Sequence, residues 1–127
     1  MDGRGWKPEY GISPEGIEML GYVEALPREV RRELAEAIAT LCRREGRDKV
    51  SCVVLGRGAS DEKVDEWLRV AAPVEGFIGF AIGRSIWWDA LKSYLGGGDR
   101  RASAEQIADN YQRFIKVYDE AEHGAAV

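Results

Sequence analysis

The sequence predicts a parallel α/β protein in which short buried strands alternate with amphipathic helices. Three observations predict it. Two apolar runs, Val50-Ser51-Cys52-Val53-Val54-Leu55 and Gly76-Phe77-Ile78-Gly79-Phe80-Ala81-Ile82, are continuous rather than alternating, the pattern of strands covered on both faces. The segments around them carry the repeat of amphipathic helices. Each run ends in a glycine-containing turn that leads into a helix, the order that places strands side by side and parallel. The 127 residues, 45% of them hydrophobic, suffice for one domain with its own core. They fall short of the ~250 that a closed eight-unit α/β barrel requires. One domain is expected over residues 1–127, with flexible ends at 1–5 and 121–127.

In chain order, Trp6-Lys7-Pro8-Glu9-Tyr10 is a candidate first strand that stops at Gly11. Pro8 has no N–H to give to a sheet ladder, which suits an edge. Residues 11–26 are turn-rich, with a helical turn opened by Ser13-Pro14-Glu15. A strong helix is expected from Pro27 to Glu45, where Val30, Leu34, Ile38 and Leu41 repeat at helical spacing and Gly46 stops it. After the strand at 50–55, Ser60 caps a helix that begins with Asp61 and Glu62, acids suited to a helix N-terminus. Val64, Trp67, Leu68 and Ala71 form its buried stripe, and Pro73 closes it. The strand at 76–82 is followed by a short helix from about Trp87 to Leu95, with Asp89 as a first-turn acid. Gly96-Gly97-Gly98 breaks the chain, and Ser103 with Gln106 reads as the capping box of a last helix. Ile107, Tyr111, Phe114, Ile115 and Tyr118 line one face of it.

Composition excludes several functions. The 18 basic residues are mixed with 22 acids for a net charge of −4, which argues against nucleic acid or an anionic membrane as partner. Cys42 and Cys52 are the two cysteines, and they read as reduced, largely buried thiols of a cytoplasmic protein rather than a disulfide scaffold. The sequence has neither a long apolar span nor a signal-peptide pattern. His123 is the single histidine, so neither a histidine-based metal site nor a Ser-His-Asp triad is expected. No metal or cofactor is expected.

In parallel α/β folds, function collects where strands end and loops lead into helices. Gly56-Arg57-Gly58 and Gly83-Arg84-Ser85 both set a glycine and an arginine at such an end. Glycine allows a ligand close to the backbone, the N–H groups of the following turn favour an anion, and arginine offers a fork of donors matched to phosphate. A tight strand-to-helix turn explains a single copy better; two copies on successive strands bring a phosphate site level with that plain reading. Lys7 and Glu9 are two apart, so in a strand they share a face. They read either as a surface ion pair or as an amine beside a carboxylate, able to form a Schiff base and relay protons. Trp87-Trp88 reads as packing, over a barrel rim or a neighbouring helix.

The stretches Val54-Leu55-Gly56-Arg57-Gly58 and Gly76 through Asp89 resemble a bacterial domain family, DUF2090. That domain occurs alone or fused behind a sugar kinase of inositol catabolism, and it is similar to class I tagatose-1,6-bisphosphate aldolases. The resemblance spans residues 6 to 120 and implies a partial TIM (β/α)8 barrel: the last three βα units, strands six to eight of the parent fold, with an extra C-terminal helix. Lys7-Pro8-Glu9 matches the Schiff-base motif of those aldolases, implying Lys7 as nucleophile and Glu9 as proton carrier. Gly83-Arg84-Ser85-Ile86-Trp87 matches their phosphate-site motif. The implied function is an aldolase-like sugar-phosphate lyase domain, incomplete and inactive as an isolated chain. A lysine without pocket walls stays hydrated and protonated, with a pKa of about 10.4. The alternatives are a non-catalytic phosphosugar-binding or regulatory module and a structural remnant. The expected partners are a phosphorylated sugar and a second copy or complementary barrel segment that covers the open sheet.

Overall fold

The computed structural model describes residues 25–124. The first candidate strand, with Lys7 and Glu9, and the turn at Ser13-Pro14-Glu15 lie outside the described residues. The elements are α1 (Arg28–Cys42), β1 (Cys52–Leu55), α2 (Asp61–Ala71), β2 (Phe77–Ala81), α3 (Arg84–Leu95) and α4 (Arg100–Gly124). The two strands pair in parallel, Val54 opposite Phe80 and Leu55 opposite Ala81, with an irregularity between Cys52 and Val53. No helix among the described residues is long and apolar enough to cross a membrane.

The core forms where α2 and α4 cover one face of the sheet. Val64 and Leu68 from α2 and Phe114 from α4 are fully buried, each contributing about 1.5–3 kcal/mol of hydrophobic stabilisation. Phe80 on β2 stands among the rings of Tyr111, Phe114 and Tyr118, at centroid distances of 5.9, 6.4 and 6.0 Å. The aromatic stripe expected of the last helix therefore packs on the sheet, although Tyr111 at its edge remains exposed. Burial pushes the Tyr118 phenol above its ordinary pKa. Arg113, stacked over Phe114, ties α4 to α2 through Asp65 at 2.9 Å and Asp61 at 3.5 Å.

Among the described residues nothing covers the other face. Val53 and Leu55 are about half exposed and Ile78 is 68% exposed. Continuous apolar runs predicted cover on both faces; among the described residues the helices supply it on one.

Helix α1 ends at Cys42 rather than Glu45, and it turns its small residues inward. Its stripe of Val30, Leu34, Ile38 and Leu41 is 37–51% exposed, while Ala35 and Ala39 are buried. The cause is a close approach. Gly76 has φ +108°, and a Cβ there would lie 2.8 Å from that of Ala39, so only the alanine side of the helix fits against this strand entry. Arg28 and Arg31 then fasten α1 to α2: Arg28 Nε donates to Glu66 Oε1 at 2.7 Å and Arg31 Nη2 to the same oxygen at 3.0 Å. The Arg28 hydrogen bond holds the Glu66 carboxyl below the usual carboxylate range, outweighing the opposing effect of burial.

The last helix starts earlier than its sequence suggests. Asp99, not Ser103, is the cap: its Oδ2 accepts from the Ala102 N–H at 2.9 Å. Ser103 lies inside the helix and is buried, its N–H bonded to the Asp99 carbonyl at 3.1 Å. A carboxylate directly after the glycine run captures the first-turn donors before Ser103 can.

Candidate functional site

The strands are parallel, so both end at one edge of the sheet. Because Leu55 stands opposite Ala81, the residues that follow are neighbours: a Cβ on Gly56 would lie 3.4 Å from Ile82 Cγ2. The two glycine-arginine turns open side by side.

The first turn is closed by the Ala59 N–H donating to the Gly56 carbonyl at 3.0 Å. Between them Arg57 has φ +53° and Gly58 φ +74°, both left-handed, as in a type I′ turn. Glycine takes this conformation freely. For Arg57 it costs roughly 1 kcal/mol, and such local strain clusters at functional positions.

In the second turn the Gly83 carbonyl accepts from the N–H groups of Ile86 at 2.8 Å and Trp87 at 3.2 Å. That starts α3 at Arg84 rather than at Trp87. Arg84 and Ser85 therefore occupy the first helical turn, where their N–H groups have no intrahelical acceptor. Gly83 offers no side chain to cap them, and the first turn holds no acid. Asp89, expected in that turn, lies in the second and pairs with Lys92 at 3.3 Å. Asn110 on α4 donates to the Ile86 carbonyl at 2.9 Å, which pins the start of α3 in place.

Arg84 reaches back to the first turn. A Cβ on Gly58 would meet its Nη2 at 3.2 Å, so any side chain there would press on the guanidinium. On the far side, a Cβ on Gly83 would lie 3.3 Å from Trp87 Nε1. The result is a cleft of about 460 Å³ lined by both turns with Leu55, Ile82 and Trp87. No carboxylate among the described residues lines it. Among the described residues neither Arg57 nor Arg84 forms an ion pair. Two uncompensated guanidinium groups beside a bare helix N-terminus make a positive concavity on a chain whose net charge is −4, and such a concavity favours an anion.

All six residues read from the sequence as a phosphate site, Gly56, Arg57, Gly58, Gly83, Arg84 and Ser85, line this one cleft. Lys7 and Glu9 lie outside the described residues. Trp87, read as packing, is a cleft wall; three residues beyond Arg84, it shares a helical face with that arginine, which was the available signal. Its ring meets that of Trp88 edge-on at 5.7 Å, and both remain partly exposed. Asn110 gave no signal, since its role depends on how α4 packs on α3.

Elsewhere Asp119, Glu122 and His123 cluster on the exposed end of α4. His123 Nδ1 lies 3.0 Å from the Asp119 carbonyl, which can only accept, so this nitrogen carries the proton and is no metal ligand in this arrangement. The same carbonyl, with the Asp119 carboxylate, raises the His123 pKa.

Fold and cleft define a class: parallel α/β proteins whose candidate site is built by the loops after adjacent strands. Residues 23–122 match the model of DUF2090, a family described as uncharacterized protein conserved in bacteria. The chain belongs to that family. No curated protein and no solved structure matches it.

Proposed function

We propose that the chain is a phosphosugar-binding module whose cleft takes the phosphate. The convergence of Arg57 and Arg84 on the uncapped start of α3 carries this reading. A phosphate would accept from the Arg84 and Ser85 N–H groups and from the guanidinium forks. The cleft volume of about 460 Å³ is within the ~300–1,000 Å³ of small-molecule sites, and Trp87 offers a flat apolar wall for a sugar. The test is thermal unfolding with and without a phosphorylated ketose, on the wild type and on Arg84→Ala. At a ligand concentration ~100 times Kd the wild type should gain about 2.7 kcal/mol, and the variant should lose that gain. A variant that keeps it removes Arg84 from the site and the reading with it.

A second reading is favoured by the Lys7-Pro8-Glu9 pattern: a class I aldolase-like lyase, with Lys7 forming the imine and Glu9 moving protons in a barrel completed by a second copy or a complementary segment. Among the described residues, helices on one face of the sheet and an uncovered apolar opposite face support a barrel wall over a doubly wound sheet, which carries helices on both. Borohydride trapping of a keto-sugar phosphate distinguishes the two. An adduct on Lys7 supports the lyase, whereas ligand stabilisation without any adduct supports the binding module. Sedimentation tests the completed barrel, since a concentration-independent monomer mass contradicts self-association through the open face.

A further inference from the structure

The two cysteines meet at the end of the sheet remote from the cleft. Cys42 closes α1 and Cys52 opens β1. The loop of residues 43–51 between them is drawn in by its own arginines. Arg43 Nε donates to the Val50 carbonyl at 3.1 Å, Arg47 Nε to the Cys42 carbonyl at 3.3 Å, and Arg47 Nη2 to the Leu41 carbonyl at 3.2 Å. The Cys52 N–H is fixed in turn to the Gly76 carbonyl at 2.8 Å, and the side chain packs against the Ala35 and Ala39 side of α1. Cys42 stands three residues beyond Ala39 and seven beyond Ala35, on that same side of α1, so the clamp sets the two cysteines beside each other. Both are free and half-buried. Burial, then the neighbouring Cys42 thiol, pushes the Cys52 thiol up, while the nearby Arg43 guanidinium acts in the opposite direction.

We propose that Cys42 and Cys52 form a reversible intramolecular disulfide, with a low-molecular-weight disulfide such as oxidised glutathione as the oxidant. In the first exchange one protein thiolate attacks the small disulfide, forming a mixed disulfide and releasing one small thiol. The neighbouring thiolate then attacks the protein-side sulfur and expels the second small thiol. Two protein thiols are oxidised, one small disulfide is reduced to two thiols, and the protein's two protons leave with them. The second step is intramolecular, between the two ends of a short loop that is already drawn in. Excess small thiol reverses both steps. The product joins α1 covalently to β1 across a short loop, so the oxidised chain unfolds at a higher temperature than the reduced one.

The test uses the full chain incubated with oxidised glutathione and measured by intact mass, alkylation and peptide mapping. The expected product has lost two hydrogens, retains no glutathione, resists alkylation at both cysteines together, and yields a Cys42–Cys52 linked peptide that dithiothreitol separates. Cys42→Ser and Cys52→Ser should each instead retain glutathione on the remaining thiol. Three results in the wild type overturn the proposal: a persistent mixed disulfide, two thiols still open to alkylation, or a disulfide between chains. The wild-type mass alone decides the matter if either variant fails to fold.

Discussion

The chain builds the same junction twice, and the two copies are finished in opposite ways. Where β1 runs into α2, the helix start is neutralised from within. Ser60 Oγ accepts from the Lys63 N–H at 3.4 Å, Asp61 and Glu62 occupy the first turn, and Arg113 of α4 pairs with Asp61. Where β2 runs into α3, the cap is glycine, the first turn has no acid, and an arginine stands at its first position. A helix start carries partial positive charge that acids stabilise by about 0.3–1 kcal/mol each. The second junction forgoes that and adds a cation. Helix α3 is held instead by Ile86 and Ala90, which are buried, and by the Asn110 bond. The lesson is that the helix start is left bare at one junction only, the one whose first residues, Arg84 and Ser85, line the cleft.

The largest effect should come from making the second junction resemble the first. Ser85→Asp places a carboxylate among the free N–H groups. It should abolish the ligand-dependent gain of about 2.7 kcal/mol while adding ~0.5 kcal/mol to the unliganded protein, both read from thermal unfolding with and without a phosphorylated ketose. A retained ligand response would mean that the helix start plays no part. Arg57→Gly should stabilise the unliganded protein by roughly 1 kcal/mol in urea unfolding, because glycine has no penalty at a left-handed φ, and it should weaken the ligand response. Ser60→Ala should cost about 1 kcal/mol and leave that response intact. Loss of both together would show the two junctions acting as one unit.

The smallest effect lies at acid pH and away from either junction. The Glu66 carboxyl is held below its ordinary value by Arg28. Its contribution is present in full above the unfolded carboxylate value of about 4.3 and is lost as pH falls through the depressed folded one. Glu66→Gln should flatten that acid limb, remove up to about 1 kcal/mol at neutral pH, and leave the ligand response at neutral pH unchanged. Stability measured from pH 7 to pH 3 checks it.

Much of this contrast was legible in the sequence. Strand runs at 50–55 and 76–82, the Ser60 cap with its acids, and both glycine-arginine turns could be read because each depends on local residue order. What depends on packing could not. The inward side of α1 is its alanine side because of Gly76, thirty-seven residues beyond Ala39. The start of α3 moved to Arg84 because the Gly83 carbonyl captured the next donors, and nothing near Arg57 announced a positive φ. The cap at Asp99 was local, and the more familiar pattern at Ser103 obscured it.

The link between α3 and α4 carries a consequence for how the cleft is made and lost. The two helices are joined by residues 96–99 and pack on each other, so their contacts span little chain and close cheaply. The cleft requires Leu55 beside Ala81, a pairing across a whole βαβ unit. On heating, the strand pair should therefore separate while the helix pair persists, and far-UV ellipticity will overstate how much of the site survives. Trp87, on the cleft wall, reports it once Trp6, Trp67 and Trp88 are replaced by Phe: its fluorescence should change at a lower temperature than the ellipticity, and coincident transitions would show the whole chain melting as one.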